Sequence, residues 1–230
     1  MNLWLFGSLT FFIIWFFIFI FVKRIRKEMF FSSLFTLPLG LTEPLFVPEY
    51  WNPPSLFNLA SRTGFDIESL IFTFSIGGIA AIIYEIFFKI KHKKISSNAR
   101  KKHKFHLLAL LSTPIIFLLL YIFTRLNPIY SAIIAIFIGG IATLICRPDL
   151  KNKAIFSGFL FLFFYFLLFS LINLISQDWV KNVWNLESIS GILLLGIPIE
   201  ELFFAFGVGL MWSNIYEHVR WYKLIEDKKN

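Results

Sequence analysis

Residues 198–217 read PIEELFFAFGVGLMWSNIYE, and residues 66–85 read DIESLIFTFSIGGIAAIIYE. Laid over each other at an offset of 132, the two stretches match without a gap, and nine of the twenty positions are identical. The identities are Ile67/Ile199, Glu68/Glu200, Leu70/Leu202, Phe72/Phe204, Phe74/Phe206, Gly77/Gly209, Ile83/Ile215, Tyr84/Tyr216 and Glu85/Glu217. Apolar composition alone gives roughly two or three such matches and supplies no glutamates at both ends. A Trp-Asn pair precedes each copy, Trp51-Asn52 and Trp184-Asn185. The chain reads as a duplication.

What is duplicated follows from composition. Of 230 residues 57% are hydrophobic and 16% charged, with a mean hydropathy of +0.73, against roughly 25% charged residues in a soluble domain. Runs long enough to cross a hydrocarbon core as helices, about 20 residues each, fall near 3–22, 29–48, 65–88, 106–124, 128–145, 154–175 and 189–215. Pro38, Gly40, Glu43 and Pro44 interrupt the second, and the seventh is long enough to tilt. Backbone groups must be satisfied internally in lipid, and these runs are too long for barrel strands. The expected architecture is therefore all-α: a polytopic membrane protein of seven transmembrane helices. Residues 1–90 form a first three-helix repeat, 91–127 a basic cytoplasmic loop and linker helix, 128–217 a second repeat and 218–230 a cytoplasmic tail. With one linker helix between them, the repeats cross the membrane in the same direction and are related by a pseudo-twofold axis along its normal.

Nineteen of the 22 Lys and Arg residues lie after helices one, three and five and in the tail. The positive-inside rule then puts the N-terminus outside and the C-terminus in the cytoplasm of an integral, multi-pass cell-membrane protein. The net charge of +8 is read as this topology signal beside anionic lipid, and no nucleic-acid partner is expected. The first apolar run has no basic n-region and its charges follow it, so no cleavable signal is expected. Cys146 is the only cysteine, so no intrachain disulfide forms. His103 and His106 have helical metal spacing but no carboxylate or thiol beside them in the sequence, so no metal is expected. Gly207 and Gly209 follow no strand, which excludes a dinucleotide fingerprint. No cofactor is expected.

The adjacent Glu200 and Glu201 sit in an otherwise apolar run. A helix from Ser188 would put Glu200 about 18 Å along it, near mid-membrane, where a charge costs about 2.5–3.5 kcal/mol even on the lenient insertion scale. Such residues face the bundle interior and serve a function, the bland alternative being a structural glutamate tied to Asn173 or Arg62. Burial and mutual repulsion both favour a neutral carboxyl, a proton donor inside oil. On the Glu200 face Phe203, Phe204, Gly207, Met211 and Asn214 recur at helical spacing, and Trp212 lies beside them, giving an apolar channel whose rings can stabilise a cation. Glu68 is the equivalent carboxylate of the first unit. Glu85 and Glu217, at the helix ends with Tyr84 and Tyr216, are expected to pair with the basic segments.

The segment Pro198-Ile199-Glu200-Glu201-Leu202-Phe203-Phe204, with its proline, paired glutamates and paired phenylalanines, resembles the signature of the integral-membrane lycopene β-cyclases, the heterodimeric type with its two subunits fused. The duplicated units match that arrangement across essentially the whole chain. The resemblance implies an isomerase of carotenoid biosynthesis that closes the ends of lycopene, or of a related acyclic carotenoid, to β-rings by acid-initiated, redox-neutral cyclisation. Glu200 or Glu201 would give the proton and the other carboxylate take one back. The first copy departs from the signature, reading Asp66-Ile67-Glu68-Ser69. Membrane lipids are the other expected partners, and a homo-oligomer is left open. The alternative is a carrier built from parallel three-helix repeats, which would need a polar midplane site. A retinal receptor would need a Lys in the seventh helix, and a Glu-Glu intramembrane protease an Arg after the pair and histidines within spans; none is present.

Overall fold

A computed structural model describes residues 2–101 and 103–226. Lys102, Lys228 and Lys229, counted above among the basic residues, lie outside them. The principal helices are α1 (Leu3–Phe21), α2 (Arg26–Thr36), α3 (Ile67–Phe87), α4 (His106–Phe123), α5 (Pro128–Cys146), α6 (Lys151–Ile175), α7 (Ile199–Trp212) and α8 (Ile215–Arg220), with shorter helical pieces between them. Among the described residues, five apolar helices are long enough to cross a membrane: α1, α3, α4, α5, and α6 with its leading turn from Pro148.

The second and seventh apolar runs are not single α-helices. After α2 the chain tightens into a 3-10 helix, Leu37–Leu45, because Pro38 and Pro44 remove backbone donors and their rings crowd the preceding turn. Gly40 lets this segment approach α3 closely: a Cβ there would come within 2.9 Å of Leu70 Cα and of Ser69 O. The seventh run begins as a hairpin, β2 (Leu193–Leu194) against β3 (Ile197–Pro198). Its two turn residues, Leu195 (φ 51°) and Gly196 (φ 80°), take the left-handed conformation that a two-residue hairpin turn requires.

Strands also occur where all-α was expected. β1 (Ile90–Lys94) pairs antiparallel with β4 (Tyr222–Glu226), from Ile90 opposite Glu226 to Lys94 opposite Tyr222. Ile90 and His92 are half-buried while Lys91 and Lys93 are exposed, the period-two alternation of a strand with one covered face.

The starts of the first two helix pairs recur at one spacing. α1 and α5 each span 19 residues, and α5 and α6 start 125 residues after α1 and α2. Asn2 and Asn127 cap the first pair, accepting from Leu5 N (3.0 Å) and Ile129 N (3.2 Å). Small residues bring the helices into contact. A Cβ on Gly77 of α3 would strike Thr36 of α2, and one on Gly209 of α7 would strike the Ser157 carbonyl of α6, the close approach that membrane helices use in place of a hydrophobic driving force. Between the two halves, Trp51 and Trp184 form an isolated antiparallel bridge. It is extended by Asn52 N donating to Val183 O (2.8 Å) and Asn185 N to Tyr50 O (2.9 Å).

Polar groups gather at opposite ends of the bundle. Glu68 and Glu85, near the two ends of α3, are about 25 Å apart at 1.5 Å per residue. At the Glu85 end, Lys153 Nζ meets Glu28 (2.8 Å), Glu85 (2.6 Å) and Glu217 (2.7 Å), all fully buried, and His92 Nε2 lies 2.8 Å from Glu217. The helix-end carboxylates thus pair with a basic residue of α6 and with a strand of the basic loop.

Candidate active site

Because the hairpin and Pro198 delay the helix, Glu200 and Glu201 occupy the first turn of α7 rather than lying a dozen residues along a longer helix. Free backbone N–H groups and the positive end of the macrodipole favour carboxylates there. Glu68 holds the same place on α3, where Asp66 caps the helix by accepting from Ser69 N (2.5 Å).

Glu201, 6% exposed, accepts three hydrogen bonds. Tyr50 Oη (2.5 Å) and Trp184 Nε1 (3.1 Å) donate to Oε1, and Tyr165 Oη (2.5 Å) donates to Oε2. Glu200, 2% exposed, accepts from Tyr130 Oη (2.9 Å) and Ser190 N (3.0 Å) through Oε1, and its Oε2 is buried without a partner. Neither glutamate is held by Asn173, which donates to Gly196 O (3.1 Å), nor by Arg62. Glu68 accepts from Asn2 Nδ2 (2.9 Å) and Leu56 N (2.7 Å) through Oε1. Glu68 and Glu200 therefore each bind a backbone N–H of the segment leading into their own helix.

The position matching Glu201 in the first copy is Ser69, and its hydroxyl donates to Glu43 Oε2. Glu43, buried on the 3-10 segment that Gly40 presses onto α3, restores beside Ser69 the carboxylate that the first copy lacks. Its Oε1 is buried without a partner.

Glu43 and Glu201 both open on one cavity of about 780 Å³, walled by α1, α2 and its 3-10 extension, and α3 to α8. Its walls are overwhelmingly apolar and aromatic, with Phe11, Phe72, Tyr165, Trp184 and Phe204 among them, a composition typical of sites for apolar ligands. From α7 and α8 the wall is Glu201, Phe204, Val208, Met211, Trp212, Ile215 and Val219. The stripe thus starts from Glu201, not from Glu200.

Among the residues expected to bind substrate, the structure brings Phe204, Met211 and Trp212 to this cavity and leaves three off its wall. Phe203 is half exposed on the outer face. Gly207 packs on Ile136 of α5, and Asn214 is buried with its amide donating to Leu210 O (3.2 Å). Glu68 also lies off the wall. The sequence reading missed Glu43, Tyr50, Tyr130 and Tyr165. Tyr165 is the lone tyrosine in the apolar run 154–175, and a hydroxyl placed where phenylalanine would otherwise serve signals a buried partner. Glu43 was visible only as an interruption of its span.

Residues 127–219 match the family model described as lycopene cyclase. No curated protein and no solved structure matches the chain. The matched stretch runs from the cap of α5 into α8 and contains Glu200, Glu201 and their partners Tyr130, Tyr165 and Trp184; over these residues the chain is similar to the lycopene cyclase family.

Proposed function

We propose that the protein is a lycopene β-cyclase that closes β-rings on lycopene or a related acyclic carotenoid within the membrane. The observation that carries this reading is the shared cavity: two buried carboxyls, Glu43 and Glu201, open on one aromatic, nearly apolar space. A hydrocarbon substrate offers no polar handle, so shape and apolar walls must hold it, and only the reacting end needs a proton donor and acceptor.

The chemistry is a net isomerisation. A carboxylic acid adds its proton to the terminal alkene, giving a tertiary carbocation; the internal double bond attacks it and closes the ring. A carboxylate then removes a ring proton, so one proton enters and one leaves. Glu201, offered three donors, is arranged as an acceptor, while Glu43 has one donor and a bare oxygen where a proton can sit. We assign Glu43 the proton-giving role and Glu201 the proton-taking role, with Glu200 positioning Glu201 from the adjacent residue. Tyr165, Trp184 and Phe204 present ring faces that stabilise the cation in a dry site, and Met211 and Trp212 shape the wall.

The same reading gives the chain two parallel three-helix units, 1–90 and 128–217, joined by the linker 91–127, in seven crossings with the N-terminus outside and the tail, from 218, in the cytoplasm. The equal spacing of α1/α5 and α2/α6 and the reciprocal Tyr50–Asn185 and Val183–Asn52 bonds support the duplication. Expression in a lycopene-accumulating host, followed by pigment chromatography, tests the function. Cyclic product is expected. Unchanged lycopene with well-inserted protein would remove the reading and leave a carrier as the better account.

A further inference from the structure

The chain has four histidines and one cysteine, and three of those histidines converge on that cysteine at the Lys153 end of the bundle, away from the cavity carboxyls. His106 Nδ1 lies 3.5 Å and His103 Nδ1 3.7 Å from Cys146 Sγ. One ligand atom each from His106, Cys146 and His218 can be chosen so that all lie within 4.8 Å of one another. The residues come from the start of α4, the end of α5 and α8. No spacing in the sequence announces the set, because 40 residues separate His106 from Cys146 and 72 separate Cys146 from His218.

We propose that His106, Cys146 and His218 form a binding site for a thiophilic transition-metal dication, zinc being the ion their chemistry fits best. The spacing is that of ligands sharing an ion: tetrahedral zinc with Zn–S about 2.3 Å and Zn–N about 2.0–2.1 Å sets N and S about 3.5 Å apart. Orientation agrees. His106 Nε2 is 3.1 Å from the His218 carbonyl, which fixes the proton on Nε2 and turns the Nδ1 lone pair to the thiol, the outer-shell arrangement that metal-bound imidazoles use.

His218 supplies an independent sign. It is fully buried, and both of its ring nitrogens face carbonyls, Nδ1 to Asn214 O (3.1 Å) and Nε2 to Thr143 O (3.2 Å). A neutral imidazole has one N–H, so one nitrogen is left with its lone pair against an oxygen. A cation beside that nitrogen resolves the mismatch. Arg147 is close, but Asp149 binds its guanidinium at 2.7 and 2.8 Å and offsets its charge. On binding, the Cys146 thiol releases its proton to solvent and the thiolate takes one charge of the dication. His103, whose Nδ1 lies 2.8 Å from the Cys146 carbonyl, stands at the rim, where it or water completes the coordination. The ion would anchor α4, which is otherwise largely exposed, to α5 and α8.

The full-length protein, purified in detergent with a non-histidine tag, is titrated with Co²⁺ and then Zn²⁺. A near-ultraviolet thiolate-to-cobalt absorption band is expected, displaced by Zn²⁺ and absent in Cys146→Ser. His106→Gln and His218→Asn should weaken binding about 10–100-fold, while His92→Gln leaves it unchanged. Alkylation of Cys146 in the unaltered protein, slowed by Zn²⁺, reads the same site without any substitution. Wild-type protein that is folded but gives no thiolate band and no Zn²⁺ protection overturns the proposal, as does equal binding by Cys146→Ser. Binding of Cu⁺ alone, with Co²⁺ and Zn²⁺ inert, overturns it too. None of these outcomes bears on cyclisation.

Discussion

At the residue scale, the adjacent glutamates are not equivalent. Glu201 faces the cavity within a ring of Tyr50, Tyr165 and Trp184, whereas Glu200 turns to Tyr130 and Ser190. Glu201→Gln keeps size but cannot take up a proton, so cyclisation should fall by about 10²–10⁴-fold with insertion intact, while Glu200→Gln falls by less. Equal, near-full activity in both variants, read as ring product per unit of inserted protein, would return the pair to a structural role. The charged cluster at the other end titrates with two signs. Burial raises the Glu217 carboxyl, but Lys153 and His92 outweigh it and hold it at about 2, against an ordinary 4.5. Its stabilising contribution is therefore complete above about 4.5 and lost as pH falls through about 2. Burial, then Glu85, push Glu28 well above its ordinary value although Lys153 draws it down. The Glu28 contribution is full below 4.5 and lost as pH rises toward that raised value. Melting curves of the detergent-solubilised protein should lose their acid-side slope in Glu217→Gln and keep it in Glu28→Gln.

At the element scale, what separates the two poorly read runs from the five well-read spans is backbone chemistry that an apolar count overlooks. The runs behind α1, α3, α4, α5 and α6 were legible because uninterrupted apolar length near 20 residues leaves a helix as the structure that satisfies the backbone in lipid. The run near 29–48 carried its own warning in Pro38, Gly40 and Pro44, and the structure turns it into the 3-10 segment that delivers Glu43. The run near 189–215 had Gly191, Gly196 and Pro198, so its first third is a hairpin and the glutamates start a helix. That error displaced the expected depth of Glu200 and rotated the predicted stripe by one residue. Gly77 and Gly209 stand in the sequence as a repeat identity, and in the structure they set helix contact. A Cβ on Gly209 would meet backbone, the Ser157 carbonyl and, at 2.9 Å, Gly158 Cα, whereas one on Gly77 would meet mainly the Thr36 side chain. Overpacking typically costs about 1–3 kcal/mol. Gly209→Ala should therefore fall at the upper part of that range and Gly77→Ala lower, measured by unfolding in mixed detergent; the reverse order would mean that α6 yields more easily than Thr36.

At the scale of the whole molecule, duplication raises the question of whether two units mean two catalytic centres. The first copy carries Ser69 where the second has Glu201, and Glu43 fills that gap and faces the same cavity as Glu201. A carboxyl from each unit on one space suits an acid and a base acting on the same end of a substrate, after which the polyene must turn round for its second ring. Two independent centres would instead give each unit its own end. The variants separate these cases. With one centre, Glu43→Gln and Glu201→Gln each suppress both rings by a similar factor, and the one-ringed fraction at matched conversion stays at its wild-type value. With two centres, each variant spares one end, and the one-ringed product accumulates. Glu68→Gln, off the cavity and tied to Asn2 and Leu56 N, should lower stability and leave the product ratio alone. A one-ringed product dominating in both Glu43→Gln and Glu201→Gln, at unchanged protein level, would overturn the single-centre account.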